Sequence, residues 1–301
     1  MVARTHIKSP FDGIPIGILA ISPSDSPRAV LLVAHGVCGR KERFTEFMTY
    51  LSERGIACVA HDHRGHGESI LYEKDRGYTY GGRSEALITD MEAVNAWARL
   101  QFPGIPVFLL GHSMGSMAAR TYIRKHDGGI SGLIVCGTPS YNPGAPIGHL
   151  MSRIANIFNN GRRRSVFLQE MISRNYNRKF RKEGDKAWTC SVEAVRESVR
   201  QDPQCNFTIT ADYSLTIMEL MSSTYSSKGW KISNSDMPIL FLSGEDDPCM
   251  RGKKGFQKSV ESMRKAGYKN IRYVTYPGMR HEVLHEKGKE KVWNEILEFI
   301  S

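Results

Sequence analysis

A serine lies between two glycines in the segment Gly111–Gly115, which reads Gly-His-Ser-Met-Gly and follows the apolar run Val107–Leu110. This spacing is typical of a nucleophile elbow, in which a strand turns sharply into a helix and holds a serine hydroxyl at the tip of the turn. Glycines on either side would allow the close approach of the neighbouring strand and helix. The pattern predicts that Ser113 is a nucleophile, and the alternative is an ordinary Gly/Ser turn without chemistry.

A serine hydroxyl is a poor nucleophile at neutral pH, so it needs a base to take its proton and an acidic group to orient that base. In chains where strands and helices alternate, the acid and then the histidine follow the serine, on loops after late strands. Here acidic residues follow the apolar run 237–243, and histidines follow the run 270–276. These candidates are Glu245, Asp246, Asp247, His281 and His285.

The remaining segments predict the elements that would position these residues. Residues 3–9 and 14–21 flank a turn-rich cluster and indicate an antiparallel hairpin. The run 29–34 is continuously apolar, which is typical of a strand buried on both faces, and further strands are predicted at 56–60, 107–110, 130–137, 237–243 and 270–276. Helical patterns lie between them, at 40–54, 84–101, from the elbow to residue 126, at 252–267 and from 285 onward. The alternation predicts an α/β fold with a mostly parallel, doubly wound sheet of about eight strands.

The pattern changes between residues 141 and 235, where strand-like runs give way to helical stretches. These stretches lie at 145–158, 164–181, 191–201 and 212–224. We therefore predict a sheet domain made of residues 1–140 and 236–301, with residues 141–235 inserted as a helical cap (lid) over the carboxyl edge of the sheet, where ligands bind in such folds. Apolar residues of the cap would accept an acyl chain or form the cap's own core, and both interpretations stay open. They are Ile147, Leu150, Met151, Ile154, Ile157, Phe158, Phe167, Leu168, Met171, Met218, Leu220 and Met221.

Five segments together resemble the monoacylglycerol lipase and lysophospholipase-like group of α/β-hydrolases, which is also classed with the serine aminopeptidases of the S33 type. They are the His35-Gly36 turn, the block Asp62–Ser69, the elbow Gly111–Gly115, the acid loop Gly244–Asp247 and the pair His281-Glu282. The resemblance extends over nearly the whole chain. It implies an α/β-hydrolase fold with an inserted lid.

The catalytic triad that this resemblance implies is Ser113, Asp247 and His281. The family pattern places the acid fourth in its loop, which selects Asp247. Asp246 is the alternative, since a slip of one residue would point its side chain the other way, and Glu245 is expected in solvent.

The remaining histidines are expected to have other roles. His285 lies one helical turn after His281 and is expected on the surface at a helix end. His112, inside the elbow, is expected to be structural. His63 and His66 lie in a loop that frames the site in this family, and hydrogen bonding within that loop is the favoured interpretation.

Two backbone N–H groups are expected to stabilise the negative charge that forms on the substrate oxygen, as an oxyanion hole. One belongs to the residue after the nucleophile, Met114. The resemblance places the other at Val37, after the His35-Gly36 turn. The adjoining Cys38 is not expected to be a nucleophile, because no base can be assigned to it.

The chain gives no sign of a metal or cofactor site. Its six cysteines are scattered and form no CxxC pair, which argues against a zinc site or a disulfide framework. They are Cys38, Cys58, Cys136, Cys190, Cys205 and Cys249. A dinucleotide-binding Gly-x-Gly-x-x-Gly does not follow the first parallel strand. We expect no cofactor and no metal.

The formal net charge of +10 is concentrated in one part of the chain. Residues 151–190 hold ten lysines and arginines against three acids. They are Arg153, Arg162, Arg163, Arg164, Arg174, Arg178, Lys179, Arg181, Lys182 and Lys186, and we call them the basic cluster. A solvated helical surface is the simpler interpretation, and the functional one is that the cluster attracts nucleic acid, an anionic membrane surface or anionic substrates. No nucleic-acid-binding motif accompanies the cluster, so nucleic acid is not an expected partner.

The amino-terminal residues contain no apolar signal-peptide core, and no apolar run is long enough to cross a bilayer, so the expected location is cytoplasmic, with peripheral membrane contact as an option.

The leading functional hypothesis is a serine hydrolase of carboxylic esters, for which the resemblance implies a monoacylglycerol, a lysophospholipid or a similar small acyl ester. The same triad would also serve the hydrolysis of peptides, amides or carbon–carbon bonds. A third hypothesis is a non-catalytic ligand-binding protein on a hydrolase fold, against which the intact Ser–Asp–His set argues.

Overall fold

The computed structural model describes residues 1–173 and 175–301 of the chain. Within these ranges eight strands form one sheet, in the order β1-β2-β4-β3-β5-β6-β7-β8. The strands are β1 (Val2–Lys8), β2 (Pro15–Ile21), β3 (Ala29–Ala34), β4 (Ile56–His61), β5 (Val107–His112), β6 (Gly132–Cys136), β7 (Ile239–Gly244) and β8 (Ile271–Tyr276). The predicted fold class is confirmed, and strand bounds differ from the predicted ones by a few residues at most.

The sheet is parallel from β4 to β8 and antiparallel at its other edge. β1 and β2 form the predicted hairpin, with Val2 opposite Ile21 and Lys8 opposite Pro15. β2 then pairs antiparallel with β4, and all further pairings are parallel. Because parallel strands all end at the same edge, the loops after β3, β5, β7 and β8 meet there.

Helices cover both faces of the sheet. They are α1 (Thr45–Ser52), α2 (Arg83–Gln101), α3 (Met114–His126), α4 (Ala145–Ile157), α5 (Val166–Ser173), α6 (Glu193–Gln201), α7 (Ala211–Tyr225), α8 (Gly252–Ala266) and α9 (Glu290–Ile300). Alternate residues of β3 belong to two separate apolar clusters: Val30 and Leu32 to one, Leu31 and Val33 to the other. A strand buried on both faces must be apolar at every position, which explains the continuous runs in the sequence.

The segment between β6 and β7 is helical, as predicted, but one predicted helix is wrong. The expected helix 164–181 is replaced by α5, which ends at Ser173, and by a 3-10 helix from Tyr176 to Glu183. The amide of Asn177 donates to the carbonyl of Gly184 and accepts from the backbone N–H of Trp188, so this turn is tied to the loop that follows it. Arg174 of the basic cluster lies outside the described residues.

We call residues 141–235 the inserted segment. Within its described part, the β structure is an isolated bridge between Arg164 and Thr210. Its last helix, α7, packs against α2 and α3, and its Leu220 belongs to the same apolar cluster as Val30 of β3. The division into a sheet domain and a separate cap therefore stays a prediction. No helix of the described residues is long and apolar enough to cross a membrane.

Candidate active site

The elbow at Ser113 is held in a backbone geometry that requires the flanking glycines. Ser113 separates β5 from α3 and has a φ of 55° and a ψ of −119°, in the left-handed region that residues with a Cβ rarely adopt. A Cβ at Gly111 would lie 2.3 Å from the carbonyl oxygen of Gly115, and a Cβ at Gly115 would lie 2.2 Å from that of Ala34. Strand and helix therefore approach so closely that only glycine fits, and the serine side chain is presented at the carboxyl edge of the sheet.

Three of the predicted residues form a hydrogen-bonded chain. The Nε2 atom of His281 lies 2.8 Å from Oγ of Ser113, and its Nδ1 lies 2.9 Å from Oδ2 of Asp247. The other carboxylate oxygen, Oδ1, accepts from the backbone N–H of Cys249 at 2.8 Å. The carboxylate can only accept, so Nδ1 carries the proton and Nε2 is left to accept the proton of the hydroxyl. This is the arrangement in which a serine can be deprotonated during attack.

The electrostatics of the three residues favour proton uptake by the histidine. Burial lowers the pKa of His281, but the charge of the Asp247 carboxylate and its hydrogen bond outweigh burial, so the pKa lies above the ordinary value of 6.5. A base whose protonated form is stabilised by a buried carboxylate takes a proton more readily. The site can therefore perform general base chemistry at Ser113.

The competing acids lie elsewhere. Asp246 pairs with the exposed ammonium of Lys179 and does not contact His281. Glu245, expected in solvent, is partly buried, because its carboxylate accepts from Oγ1 of Thr275 at 2.9 Å and lies 3.5 Å from Nζ of Lys253.

His285 is not the surface histidine that we expected. Its side chain is only 17% exposed. Its Nε2 atom lies 2.8 Å from the carbonyl oxygen of Arg43, with which it forms a hydrogen bond. The segment that contains Arg43 therefore covers the turn at His285. The sequence spacing alone did not indicate this contact.

Val37 and Met114 both line a cavity beside Ser113, and among the described residues no hydrogen bond donated by either backbone N–H is found. Gly36 is close to the nucleophile, since a Cβ there would lie 2.9 Å from Cβ of Ser113. The oxyanion hole expected from the sequence stays a proposal.

A group of buried histidines fixes the loop that contains Val37. His66 accepts from the backbone N–H of Cys38 at 3.0 Å, and His35 bonds the carbonyl of Gly36 at 2.7 Å. His35 also accepts from the backbone N–H of His63 at 2.9 Å. Burial lowers the pKa of all three histidines, so they are neutral and able to accept these bonds. His63 also bonds His61 at 3.2 Å, and His66 bonds the carbonyl of Arg64 at 3.3 Å. Both histidines therefore hydrogen bond within their own segment, as the sequence interpretation favoured, and both also bond the loop of Val37.

His112 is also structural in its contacts. Its Nε2 atom lies 3.3 Å from the carbonyl oxygen of His281, and the two rings are 5.0 Å apart. Burial lowers the pKa of His112 to about 3, which keeps it neutral beside the base. It supports the backbone of His281 without contacting Ser113 through a hydrogen bond.

Several residues at the site were missed by sequence reasoning. Glu282 forms a buried ion pair with Arg43; burial raises the pKa of Glu282, but Arg43 outweighs burial and holds it at about 2. The ring of Trp188 lies 5.0 Å from that of His281, and Tyr176 lies 4.9 Å from Trp188. The His-Glu dipeptide was a signal for Glu282. The aromatic pair comes from the inserted segment, where no spacing in the sequence points to the site.

The cavity beside Ser113, which we call the Ser113 cavity, has a volume of about 420 Å³. It is lined by the sheet edge on one side and by the inserted segment on the other. Of the apolar residues considered for an acyl chain, four line it: Ile147, Met171, Met218 and Met221. Leu220 is in the core, and Leu150 and Ile157 are exposed. Met218 and Met221 both line the cavity and belong to the core, so the two interpretations of that set stay open.

The cysteines and possible metal ligands do not offer a second chemistry. All six cysteines are free, and burial raises the pKa of Cys38 to about 12, so its thiol stays protonated. Among the described residues, the ligand-type side chains that cluster are Asp247, Cys249 and His281. Both nitrogens of His281 are already engaged, by Asp247 and Ser113, so this group does not fit a metal.

The parallel sheet, the elbow and the hydrogen-bonded chain at its edge define an α/β-hydrolase. The model of the family described as serine aminopeptidase, S33 (Hydrolase_4) matches residues 25–288, and the chain belongs to this family. The resemblance inferred from the sequence is confirmed.

Named relatives extend the comparison. Monoglyceride lipase of Homo sapiens is 32% identical over 114 residues, which cover 38% of this chain and 36% of the human protein. Monoacylglycerol lipase of Mycolicibacterium smegmatis is 22% identical over 320 residues, covering 100% of this chain and 99% of that protein. The match thus spans about a third of the human relative and nearly all of the mycobacterial one.

Solved structures share the fold. The chain superposes on a thermostable carboxyl esterase from Bacillus coagulans, crystallised with glycerol, with a TM-score of 0.90. The two chains are 24% identical, and the match covers 99% of this chain and 97% of the esterase. At this identity the likeness establishes the fold alone.

Proposed function

We propose that the protein hydrolyses carboxylic esters with one acyl chain, such as monoacylglycerols or lysophospholipids, through an acyl-enzyme on Ser113. The observation that carries the proposal is the hydrogen-bonded chain from Ser113 through His281 to Asp247, at a positive-φ elbow that opens into a largely apolar cavity. The relatives named as monoglyceride lipases support the ester class.

In the proposed mechanism, Nε2 of His281 takes the hydroxyl proton of Ser113 while Oγ attacks the ester carbonyl carbon. The carbon–oxygen bond to the alcohol breaks, and His281 returns the proton to the departing alcohol. Water then attacks the acyl-enzyme, and His281 takes one of its protons. Ser113 is released with the proton restored, and the acyl group leaves as a carboxylic acid.

The negative charge on the substrate oxygen is met in both steps by the backbone N–H groups of Val37 and Met114. Each such donor stabilises a transition state by about 3 kcal/mol. The histidines that fix the Val37 loop keep its donor in place before substrate arrives, which is the condition for that stabilisation.

The acyl chain is assigned to the apolar side of the Ser113 cavity, formed by the inserted segment. Met171, Met218 and Met221 line it, and methionine adapts its shape to flexible chains. A volume of about 420 Å³ lies within the range of pockets for small ligands. In this proposal residues 141–235 act as the cap of the site.

The test is a substrate panel measured on the wild type and on Ser113→Ala, with monoacylglycerols, lysophospholipids and short aryl esters. We expect kcat to fall at least about 10³-fold in Ser113→Ala, since removal of a nucleophile leaves only binding and oxyanion stabilisation. Ser198→Ala, an exposed serine on α6, is the matched control and should keep wild-type rates. Activity that survives in Ser113→Ala would overturn the mechanism.

Labelling with a fluorophosphonate probe separates an enzyme from a binding protein on the same fold. The wild type and Ser198→Ala should be labelled, and Ser113→Ala should not. A wild type that resists labelling, although the probe is shown to enter the cavity, would favour a non-catalytic protein.

The description of the family as serine aminopeptidase gives amide hydrolysis a specific basis as a second candidate. Turnover of aminoacyl naphthylamides without turnover of esters would select it.

A peripheral membrane contact is the second part of the proposal. Large apolar side chains of α4 and α5 face solvent. The most exposed are Ile147, Leu150, Ile157, Phe158, Val166 and Phe167, between 57% and 77%. Arg153 and Arg162–Arg164 of the basic cluster lie in and between the same helices. An apolar surface bordered by arginines matches the chemistry of an anionic lipid surface.

Cosedimentation with vesicles tests this contact. We expect binding to vesicles that contain phosphatidylserine, and weaker binding to pure phosphatidylcholine. Ile157→Ser should reduce the bound fraction by about tenfold, because it removes one inserted apolar side chain. Leu100→Ser, which alters a side chain equally exposed on α2, is the control. Equal effects of the two substitutions on vesicle binding would show that α4 does not take part in the membrane contact.

A further inference from the structure

The charged groups that line the Ser113 cavity do not balance. Arg43 and Glu282 line it as a buried ion pair. His35 and His112 also line it, and burial lowers the pKa of each, so both are neutral. His281 also lines it and is bonded to the carboxylate of Asp247. Lys186 remains, and among the described residues its ammonium has a hydrogen bond to an amide oxygen but no ion pair. The cavity therefore carries one uncompensated positive charge.

Lys186 lines the Ser113 cavity together with Cys38. It donates to Oδ1 of Asn206 at 2.9 Å, a neutral partner that leaves its charge in place. Burial raises the pKa of the Cys38 thiol, and Lys186 is the leading influence in the opposite direction, which indicates that the ammonium is near Cys38. Cys38 follows Val37, whose N–H is the proposed oxyanion donor. The charge is thus on the side where the ester group binds.

The backbone of Lys186 is held in an unusual conformation. Its φ is 54°, in the left-handed region that side chains with a Cβ rarely adopt. Its N–H donates to Oδ1 of Asp185 at 2.8 Å, and its carbonyl accepts from the N–H of Thr189 at 3.0 Å and from Oγ1 of Thr189 at 2.9 Å. Four bonds, counting that to Asn206, hold the residue where it lines the cavity. Strained residues of this kind often have a role in ligand binding.

We propose that Lys186 binds an anionic substituent of the ester substrate, so that the site prefers esters carrying a phosphate or carboxylate over neutral ones. The inference rests on the proposed ester hydrolysis at Ser113 and adds the charge of its substrate. An anion in the cavity would gain a charge-assisted hydrogen bond from an ammonium whose only partner in the described structure is neutral. The anion belongs either to the alcohol part, as in a lysophospholipid, or to the far end of the acyl part.

Two pairs of substrates distinguish these sources. Monooleoylglycerol and oleoyl lysophosphatidic acid differ by a phosphate on the alcohol. Nitrophenyl hexanoate and the nitrophenyl monoester of adipic acid differ by a carboxylate on the acyl chain. The measured quantity is the ratio of kcat/KM for the anionic member to that for the neutral member of each pair. The wild-type ratio should exceed one in at least one pair and fall as salt is added.

In Lys186→Gln the ratio should fall by about tenfold in the same pair, which corresponds to the loss of one charge-assisted hydrogen bond. Lys186→Arg keeps the charge and should retain the preference. Lys182→Gln is the matched control, because it removes the same charge from an exposed residue that does not line the cavity. Its ratio should equal that of the wild type.

The outcomes separate this inference from the proposed function. If Lys186→Gln left the ratio of kcat/KM unchanged in both pairs, the role of Lys186 would be overturned, while the proposed ester hydrolysis would stand. An equal loss on anionic and neutral esters would also overturn it, since Lys186 would then only support the turn. A folded wild type that cleaves none of the four esters would overturn the proposed function, and this inference with it.

Discussion

The sheet edge that holds Ser113 and the inserted segment that faces it are built on opposite principles. At the edge, every residue of β3, β5 and β7 is buried, and the functional side chains follow directly after those strands. In the inserted segment, α4 buries Gly148 and Ser152 and exposes much larger apolar side chains, such as Leu150 and Ile157. One region buries its large apolar residues, and the other presents them to its surroundings.

This difference corresponds to two tasks. Proton transfer from Ser113 needs atoms held within tenths of an ångström, so its residues are placed on buried strands and on hydrogen-bonded loops. The proposed recognition of a lipid-like ester would need an apolar surface and a charge that contact the substrate, and the inserted segment provides both. The predictions that follow test whether the two regions differ as sharply in energy as they do in structure.

The largest effect is expected at the acid of the sheet edge. Asp247→Asn removes the acceptor that keeps the proton on Nδ1 of His281, and kcat should fall by about 10⁴-fold. Asp246→Asn is the matched control, because it removes only an ion pair with the exposed Lys179 and should change kcat by less than about twofold. Steady-state kinetics on one ester decides between them. Comparable losses in both variants would show that the acid has been misassigned.

Next in size is a substitution of glycine by alanine made in each region. In Gly115→Ala, the new Cβ would lie 2.2 Å from a backbone carbonyl oxygen. Strand and helix would have to move apart to relieve this clash. We expect a loss of at least about 3 kcal/mol in the free energy of unfolding. In Gly144→Ala, at the start of α4, the nearest atom would be 3.4 Å away and the φ of −77° suits alanine. Its effect should stay within about 0.5 kcal/mol, measured by urea titration.

The same contrast explains how much the sequence could predict. The strands β3 to β7 were found because buried parallel strands leave apolar runs, and β1 and β2 because a turn-rich cluster separates them. The candidate residues were found because function follows the ends of parallel strands. Asp247 required the family pattern, since three adjacent acids satisfy the spacing equally well. The structure separates them through contacts that the sequence does not contain: Lys179 pairs with Asp246, while His281 bonds Asp247.

One helix of the inserted segment, the stretch 164–181, was predicted wrongly for a physical reason. Tertiary bonds, such as those of Asn177, shape the turn that follows α5. Trp188 and Lys186 reach the cavity from a loop of the inserted segment, and nothing in their spacing points to Ser113. The ion pair of Arg43 with Glu282 joins residues 239 positions apart, so it too depends on the finished fold.

A moderate effect is expected from acid, and it should originate in the sheet edge. Burial lowers the pKa of His61 to about 3, and burial likewise lowers that of His112 to about 3. The unfolded chain takes up protons at these residues as the pH falls below about 6.5, while the folded chain does not. Each should therefore cost about 2 kcal/mol of stability at pH 5. His281 has the opposite sign, since its raised pKa adds stability that is lost as the pH rises through it.

Urea titrations at pH 7 and pH 5 measure the net result, which should be a clear loss of stability at the lower pH, since the lowered pKa values of several buried histidines oppose the single raised one. The inserted segment contributes a single histidine, His149. His149→Gln should keep the wild-type difference between the two pH values. A variant that abolished the difference would place the acid sensitivity in the inserted segment and not at the sheet edge.

The smallest expected effects on stability come from one isoleucine in each region, Ile134 and Ile157. Ile134 of β6 is fully buried, and Ile134→Val removes a single methylene, which should cost about 1 kcal/mol in a core that cannot close the gap. Ile157 of α4 is 77% exposed, and Ile157→Ser removes nearly its whole apolar side chain. Ile157→Ser should lower the free energy of unfolding by no more than about 0.5 kcal/mol, because an exposed side chain makes few contacts that the substitution could remove. The same Ile157 variant is expected to lose vesicle binding, so stability and binding would separate within one residue. If Ile157→Ser destabilised the protein more than Ile134→Val, the outer face of α4 would have to be packed against the protein in solution, and a role in membrane contact would no longer explain its composition.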